Sequence, residues 1–469
     1  MIAVTLAEVA ELTGGTLSGG DPGTSVTGAV TLDSRTVGAG DLFVAVAGER
    51  VDGHDFIGAA ADAGAVAALG TRPDPALPCV VVDDPVTALG RLAAGVHARL
   101  AAGGLTTLGL TGSSGKTSTK DLLGQVLATA GETVSPPGSY NNDIGLPLTV
   151  LSADERTRFL VLEMGARGPG HIARLCEVAR PSIGVVLNVG TAHLGEFGSA
   201  EVIAQAKGEL VEALPADGTA VLNADDPRVV GMAPRTRARV VTTGRGTGAD
   251  VRAVDVVLDD SARGRFTLVA GGEEHPVELR VVGEHQVANA LSAAGAALAA
   301  GMTPADVAAA LSAAGPRSRW RMEVERRADG VTIVNDAYNA NPESMRAALA
   351  ALVGLPATRR IAVLGAMAEL GPGAAEEHVR LGRDVAAAGI DLVVAVGPDA
   401  VGIADGAAEA GPRAGEGAGE ESVLVPDRAA ARQLLSEVLR PGDVVLVKAS
   451  RSYGLELLAA DLLAGEAGA

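Results

Sequence analysis

The stretch Leu105-Thr106-Thr107-Leu108-Gly109-Leu110-Thr111-Gly112-Ser113-Ser114-Gly115-Lys116-Thr117-Ser118 decides the fold. Its apolar run, Leu105–Leu110, predicts a buried strand, and Ser118–Ala130 reads as a helix. Between them lies a glycine-rich turn, Gly112–Thr117. Such a turn lets backbone N–H groups curl around phosphate oxygens, and the dipole of the following helix adds to their pull. In that setting Lys116 reaches the β- and γ-phosphates, and Thr117 offers its hydroxyl to Mg²⁺. The spacing is the short form G-x-x-G-K-T, because Leu110 stands where the longer G-x-x-x-x-G-K-[ST] signature has its first glycine. Strand, loop, Lys-Thr and helix in that order separate this stretch from an ordinary Gly-rich turn.

Outward from the loop the same alternation repeats. Phe159–Leu162, Ile183–Leu187 and Thr219–Leu222 are short apolar runs followed by amphipathic stretches. That pattern predicts an α/β fold with a parallel sheet covered on both faces. After Ala314-Gly315-Pro316 the alternation restarts at Val331–Val334, Ile361–Leu364, Leu392–Val396 and Val444–Val447, which reads as a separate Rossmann-like domain. Ahead of Gly103-Gly104, a plausible hinge, lie the runs Leu42–Val46 and Val80–Val82 and a predicted helix at 55–68. Three domains are expected, at 1–103, 104–314 and 315–469. The Gly/Ala/Glu-rich segment 404–421 reads as a surface insertion.

Bulk properties bound the function. A chain of 469 residues is long for one core, and 47% hydrophobic residues are ample for several. Aromatics make up only 2%, so Ala, Val and Leu must do the packing. A net charge of −19 excludes nucleic acid as a main partner, since phosphate backbones are bound through surplus Lys and Arg. Cys79 and Cys176 show no metal-ligand spacing and fit a reducing cytosol. The N-terminus lacks a basic segment and carries Glu8 and Glu11, unlike a signal peptide. The Ala-rich stretches 289–300 and 306–314 are broken by Gly, Asn and Asp, so no membrane span is expected.

Polar residues recur where strands end. Glu163 closes one run, Asn188 another, and His193 follows in the next loop. In a parallel sheet ligands gather at the carboxyl ends of strands, so these residues are expected to share a crevice with the phosphate loop. Glu163 and His193 suit Mg²⁺ alongside Thr117. Lys207 lies on a predicted helix, Ala200–Leu214, where a lysine is ordinarily solvated.

Taken together these stretches resemble the Mur ligases, the cytoplasmic amino-acid-adding enzymes of peptidoglycan synthesis. The resemblance covers nearly the whole chain. It is carried by Asp33-Ser34-Arg35, Gly40–Ala45 and Asp52-Gly53-His54 at the front, and by Thr111–Lys120, Asn141–Pro147, Glu163-Met164-Gly165, Ala192-His193-Leu194 and Ala206–Glu209 in the middle. Asp336–Pro342, Glu369-Leu370-Gly371 and Lys448–Arg451 carry it at the end. It implies a UDP-sugar domain at 1–103, a central ATP-binding domain at 104–314 and a Rossmann-like C-terminal domain at 315–469. The branch it implies joins D-alanyl-D-alanine to UDP-N-acetylmuramoyl-tripeptide, using ATP and Mg²⁺, as a monomer in the cytoplasm.

The resemblance also assigns residues. Thr111, Gly112, Ser113, Ser114, Gly115, Lys116, Thr117 and Ser118 cradle the phosphates, with Asn141 and Asn142 nearby. Asn223, His285 and Asn289 lie around adenine and ribose, while Arg321 and Asp336 reach the nucleotide from the third domain. Ser34 and Arg35 belong to the UDP-sugar end. Tyr338, Asn339, Asn341, Lys448, Ser450 and Arg451 face the substrates across the cleft. Lys116, Glu163, His193, Lys207 and Arg321 form the implied catalytic set, and Thr117, Glu163, His193 and Lys207 the implied metal set. Lys207 matches a lysine that carries a carbamate in this family. Gln286 departs from the Asn usual beside His285.

Two neighbouring readings are weaker. Relatives that add diaminopimelate as the third residue usually carry Asp-Asn-Pro-Arg after a C-terminal-domain strand, where this chain has Gly397-Pro398-Asp399-Ala400. A non-catalytic nucleotide-binding protein has no need to keep Lys116, Thr117, Glu163, His193 and Lys207 together.

Overall fold

The expected runs become strands because side chains cover both of their faces. In the computed structural model, which describes residues 1–190, 194–409 and 421–465, they build three main sheets. The central sheet runs from edge to edge as Thr133–Val134, Phe159–Glu163, Thr106–Thr111, Ile183–Val186, Thr219–Asn223, Arg239–Gly244, Val251–Leu258, Arg263–Ala270 and Glu273–Val282. Phe159 and Val161 pack into one layer, with Leu122 and Val126 of the helix Lys116–Ala128 and Val287 of the helix His285–Ala299. Leu160 and Leu162 pack into the other, with Ile172, Ile203 and Leu92 from the helices His171–Ala179, Ala200–Glu212 and Pro85–Ala102. Period-two alternation on a doubly covered strand explains why these segments read as continuous apolar runs.

The helix Pro85–Ala102 is stopped and started by local chemistry. Asp84 caps it by accepting from the N–H groups of Val86 and Thr87, and Pro85 sits at its first position. It ends at Gly103, and His97 on its buried face bonds Thr107 of the central sheet at 2.8 Å.

The front of the chain folds on a five-stranded sheet in the order Thr16–Ser18, Cys79–Val81, Ala67–Gly70, Leu42–Val44, Val30–Thr31. The predicted helix at 55–68 is shorter than expected. A 3-10 turn, Gly53–Phe56, leads into a helix over Ile57–Ala63, and Gly64 ends it at a φ of 106°. Ala67–Gly70 is already a buried strand. The last sheet runs Glu323–Arg326, Thr332–Asn335, Asp443–Lys448, Arg359–Gly365, Leu392–Val396, Glu421–Val425, parallel except for its first pair.

Two expectations need correction. The central sheet is not wholly parallel, since Val251–Leu258, Arg263–Ala270 and Glu273–Val282 form an antiparallel meander at one edge. The segment 404–421 is not one surface insertion. Residues 404–409 complete the helix Val401–Glu409, in which Gly406 and Ala407 are buried, and Glu421 opens an edge strand. Residues 410–420 lie outside the described residues. Among the described residues no helix is long and apolar enough to cross a membrane.

Candidate active site

The carboxyl ends of the central strands open on a cavity of about 830 Å³, walled on its far side by the third domain. At its floor Gly115 takes a φ of 79° and starts the helix Lys116–Ala128. A Cβ there would lie 2.5 Å from Asn289 Oδ1, so only glycine both turns the chain and clears its neighbour. Asn188, at the end of the adjacent strand, latches the loop. Its Oδ1 accepts from the N–H groups of Ser113 (2.9 Å) and Ser114 (3.0 Å), and its Nδ2 donates to Ser114 O. Ser113 Oγ in turn accepts from Gly190 N. The Lys116 ammonium rests on Gly112 O at 2.8 Å, at the mouth where phosphate oxygens would arrive.

Glu163, only 3% exposed, is the centre of the polar floor. Its Oε2 accepts from Thr117 Oγ1 at 2.7 Å; its Oε1 accepts from Ser139 Oγ at 2.7 Å and Asn141 Nδ2 at 2.8 Å. Burial alone would raise its pKa, but the charges of Lys116 and Arg321, with these hydrogen bonds, hold it below the usual carboxylate range. Glu163 is therefore an anion at neutral pH. For Lys116, burial lowers the pKa and Arg321 adds to the effect, while Glu163 opposes both. Thr117, Glu163 and Ser139 present hard oxygen atoms at one point, and Asn141 donates its amide N–H to two of them, Glu163 Oε1 and Ser139 Oγ. Mg²⁺ takes one or two carboxylates and completes its shell with phosphate and water, so this set fits it.

Lys207 reaches the same cavity from the helix Ala200–Glu212. It is 5% exposed and makes no hydrogen bond or ion pair among the described residues. Burial, and then Lys116, push its pKa well below that of an ordinary lysine. Lys207 is thus a buried amine disfavoured as an ammonium, lining the same cavity as Thr117, Glu163 and Ser139.

The third domain supplies the opposite wall. The Arg321 guanidinium lies 4.2 Å from the centre of the Tyr338 ring, and its charge is felt by both Lys116 and Glu163. Lys448 is 2% exposed and bonds Asp336 Oδ2 at 2.6 Å and Asn339 O at 2.8 Å, fixing the turn between them. Asn341 lines the cavity while its side chain caps the helix Pro342–Gly354. Arg451 lies over the Trp320 ring at 4.2 Å and pairs with Glu456.

Of the residues expected at the site, Ser113, Ser114, Gly115, Lys116, Thr117, Ser118, Asn141, Asn142, Glu163, Lys207, His285, Asn289, Arg321, Asp336, Tyr338, Asn339, Asn341, Lys448 and Arg451 line this one cavity. Several others do not. Thr111 and Gly112 lie buried behind the loop. Asn223 faces away, donating to Leu187 O and accepting from Asp225 N. Ser450 is spent inside the third domain, accepting from Ala368 N and donating to Ala340 O. Ser34 and Arg35 sit on a 3-10 turn of the first domain, where exposed Arg35 pairs with Asp33 at 2.7 Å. His193 lies outside the described residues.

Residues that were not expected also line the wall. Ser139 had only its place two residues before Asn141 to mark it. Arg167 and His171 follow the strand end at Glu163, the signal that had picked out Glu163 itself. Glu369 holds a left-handed φ of 65° on the opposite side.

The fold and this floor define a three-domain protein that binds a nucleotide on a phosphate loop, in a cavity whose opposite wall is the third domain. Family profiles divide along the same line. Residues 26–96 match the Mur ligase family, catalytic domain; residues 110–297 match the Mur ligase middle domain; residues 320–451 match the Mur ligase, glutamate ligase domain. The chain is 50% identical to the UDP-N-acetylmuramoyl-tripeptide–D-alanyl-D-alanine ligase of Mycobacterium tuberculosis (strain ATCC 25618 / H37Rv), over 99% of each. It is 36% identical to the ligase of the same name from Escherichia coli (strain K12), over 97% of each. A crystal structure of MurF from Acinetobacter baumannii superposes with a TM-score of 0.87 at 32% identity, covering 98% of this chain and 99% of that one. MurF from Thermotoga maritima in complex with ADP gives 0.79 at 32% identity, covering 94% and 98%. The chain belongs to the Mur ligase family.

Proposed function

We propose that the protein joins D-alanyl-D-alanine to UDP-N-acetylmuramoyl-tripeptide at the expense of ATP, yielding the pentapeptide precursor of peptidoglycan, ADP and phosphate. The observation that carries this is one cavity in which Lys116, Thr117 and Glu163 of the central domain meet Arg321 of the third. The terminal carboxylate of the tripeptide attacks the γ-phosphorus, the bond to ADP breaks, and an acyl phosphate forms. The unprotonated amine of the dipeptide then attacks the acyl carbon, and phosphate leaves.

Two anions must meet in the first step, so neutralising charge dominates the catalysis. Lys116 supplies it from the loop and Arg321 from the far wall, where the Tyr338 ring holds the guanidinium flat. Mg²⁺, when bound through Thr117 and Glu163, neutralises and orients the phosphates. Ser139 and Asn141 keep Glu163 turned toward that point. His285 and Asn289 border the nucleotide side of the cavity, and by this reading the UDP-sugar belongs to residues 1–103, ATP to 104–314 and the closing wall to 315–469. UDP-linked precursors and ATP belong to the cytoplasm, which is where the reaction runs.

The test is a matrix of UDP-muramoyl tripeptides, ending in lysine or diaminopimelate, against D-alanine, L-alanine and D-alanyl-D-alanine. Mass spectrometry reads the product, and Lys116→Ala serves as the inactive control. Pentapeptide should form, with phosphate released only when both substrates are present. Phosphate release independent of the dipeptide, or a product carrying a single amino acid, overturns the assignment.

A further inference from the structure

Behind the phosphate loop, on a face of its helix that does not line the large cavity, lies a buried ion pair. Lys120 and Asp121 are 2% and 5% exposed, and their charged atoms lie 3.0 Å apart. Each partner ties down a different segment. The Lys120 ammonium donates to Pro136 O and, at 2.8 Å, to Gly138 O. Asp121 Oδ2 accepts from Ser318 N at 3.0 Å. The two tied segments are themselves joined, since Gly138 N donates to Ser318 Oγ at 2.9 Å. One turn further along the helix, Gln125 clasps Gly315 both ways, donating to its carbonyl at 2.9 Å and accepting from its N–H at 3.1 Å.

The ties lie next to the chemistry. Gly138 is followed by Ser139, which bonds Glu163, and two residues on Asn141 bonds it too. Ser318 precedes Arg321 by three residues, and Asp121, Ser318 and Arg321 line one small void of about 30 Å³ with no layer between them. A buried charge pair is poor value as a source of stability, because desolvation offsets most of the attraction. Its worth here lies in geometry.

Resting on the ligase function proposed above, we propose that Lys120 and Asp121 are a positioning pair. They hold Glu163's partners on one side and Arg321 on the other in register with the phosphate loop. The pair sets where the neutralising charges stand, while the loop, with His285 and Asn289, dominates how tightly nucleotide binds.

The experiment replaces both residues at once, as Lys120→Met with Asp121→Leu, so that neither charge is left buried without its partner. Wild type and variant are compared in ligation and in ADP binding. Misplacement of a catalytic group by about 1 Å costs about 100-fold in rate, so kcat should fall by that order while the Kd for ADP stays within about threefold. In an Arg321→Ala background the same pair of changes should cost clearly less than in the wild-type background, since one of the two groups they misplace is already gone. Should the double variant misfold, Asp121→Asn decides. It keeps an oxygen for Ser318 N–H while losing the charge, and a fall in kcat of about tenfold with ADP affinity held is expected. A folded variant with wild-type kcat overturns the proposal, and so does a fall in ADP affinity parallel to kcat, which would mean that the pair only braces the loop. An inactive wild type would instead strike the ligase assignment.

Discussion

At the scale of single residues, Lys116 and Thr117 were legible in the sequence because a phosphate loop is a local object, complete within one strand, turn and helix. Lys207 was not. Periodicity puts a lysine on a helix but does not say what covers that face, and only the packed structure leaves the residue 5% exposed, its amine with no partner among the described residues. Asn223 and Ser450 err the other way, because their bonds to Leu187 O, Ala368 N and Ala340 O are long-range contacts that no spacing reveals. If Lys207 works as a carbamate, its amine takes up CO₂, forms a nitrogen–carbon bond and loses a proton, leaving an anion. An ammonium 4 Å from a bound cation would instead be repelled by about 4 kcal/mol per charge pair at an effective dielectric near 20. Lys207→Ala should therefore be nearly inactive and partly restored by acetate, whereas Lys207→Arg should be inactive and beyond rescue. Activity of the arginine variant near that of wild type, measured with both substrates saturating, would rule the carbamate out.

Among elements, the strands flanked by helices were readable as runs, since burial on both faces erases polar alternation. The meander at the sheet edge was missed because one side of it meets water and its pattern is mixed. Yet a signal was present. Gly271 and Gly272, with φ of 61° and 85°, join two paired strands as a tight two-residue turn, which a Gly-Gly between alternating runs announces. Composition misled at 404–409, where small residues serve packing instead of solvation. The helices Ala374–Ala387 and Val401–Glu409 cross backbone to backbone. A Cβ on Gly382 would strike Ile403 O, and one on Gly406 would strike Val379 O. Helix propensity alone favours Gly382→Ala by about 1 kcal/mol. Overpacking at a backbone contact costs about 3 kcal/mol and outweighs it. The variant should thus lose about 4–8 °C from the melting transition of the third domain, read by calorimetry. A raised transition would mean that the two helices do not cross as described.

For the whole molecule, the three domains were anticipated, but how they meet was not, because interfaces depend on contacts between distant segments. Central and third domains touch at Gly195 and Gly371, where a Cβ on Gly195 would stand 2.6 Å from Gly371 Cα. Gly371 also holds a φ of 70°. Gly371→Ala should wedge the domains apart and lower kcat by about tenfold or more, with ADP affinity within about threefold, as expected where closure assembles the site. Gly301→Ala is the control, because Gly301 has a φ of 93° but open space around it. Equal loss in both variants would assign the effect to backbone strain and not to the interface. The tie between Ser318 and Asp121 has a consequence for how the molecule opens. A chain spans at most about 3.6 Å per residue, so Arg321, three residues beyond the tie, stays within about 11 Å of it however far the third domain swings. The arginine is on a short leash: while that bond holds, any opening of the third domain is reversed for Arg321 by a local step, with no search through solvent.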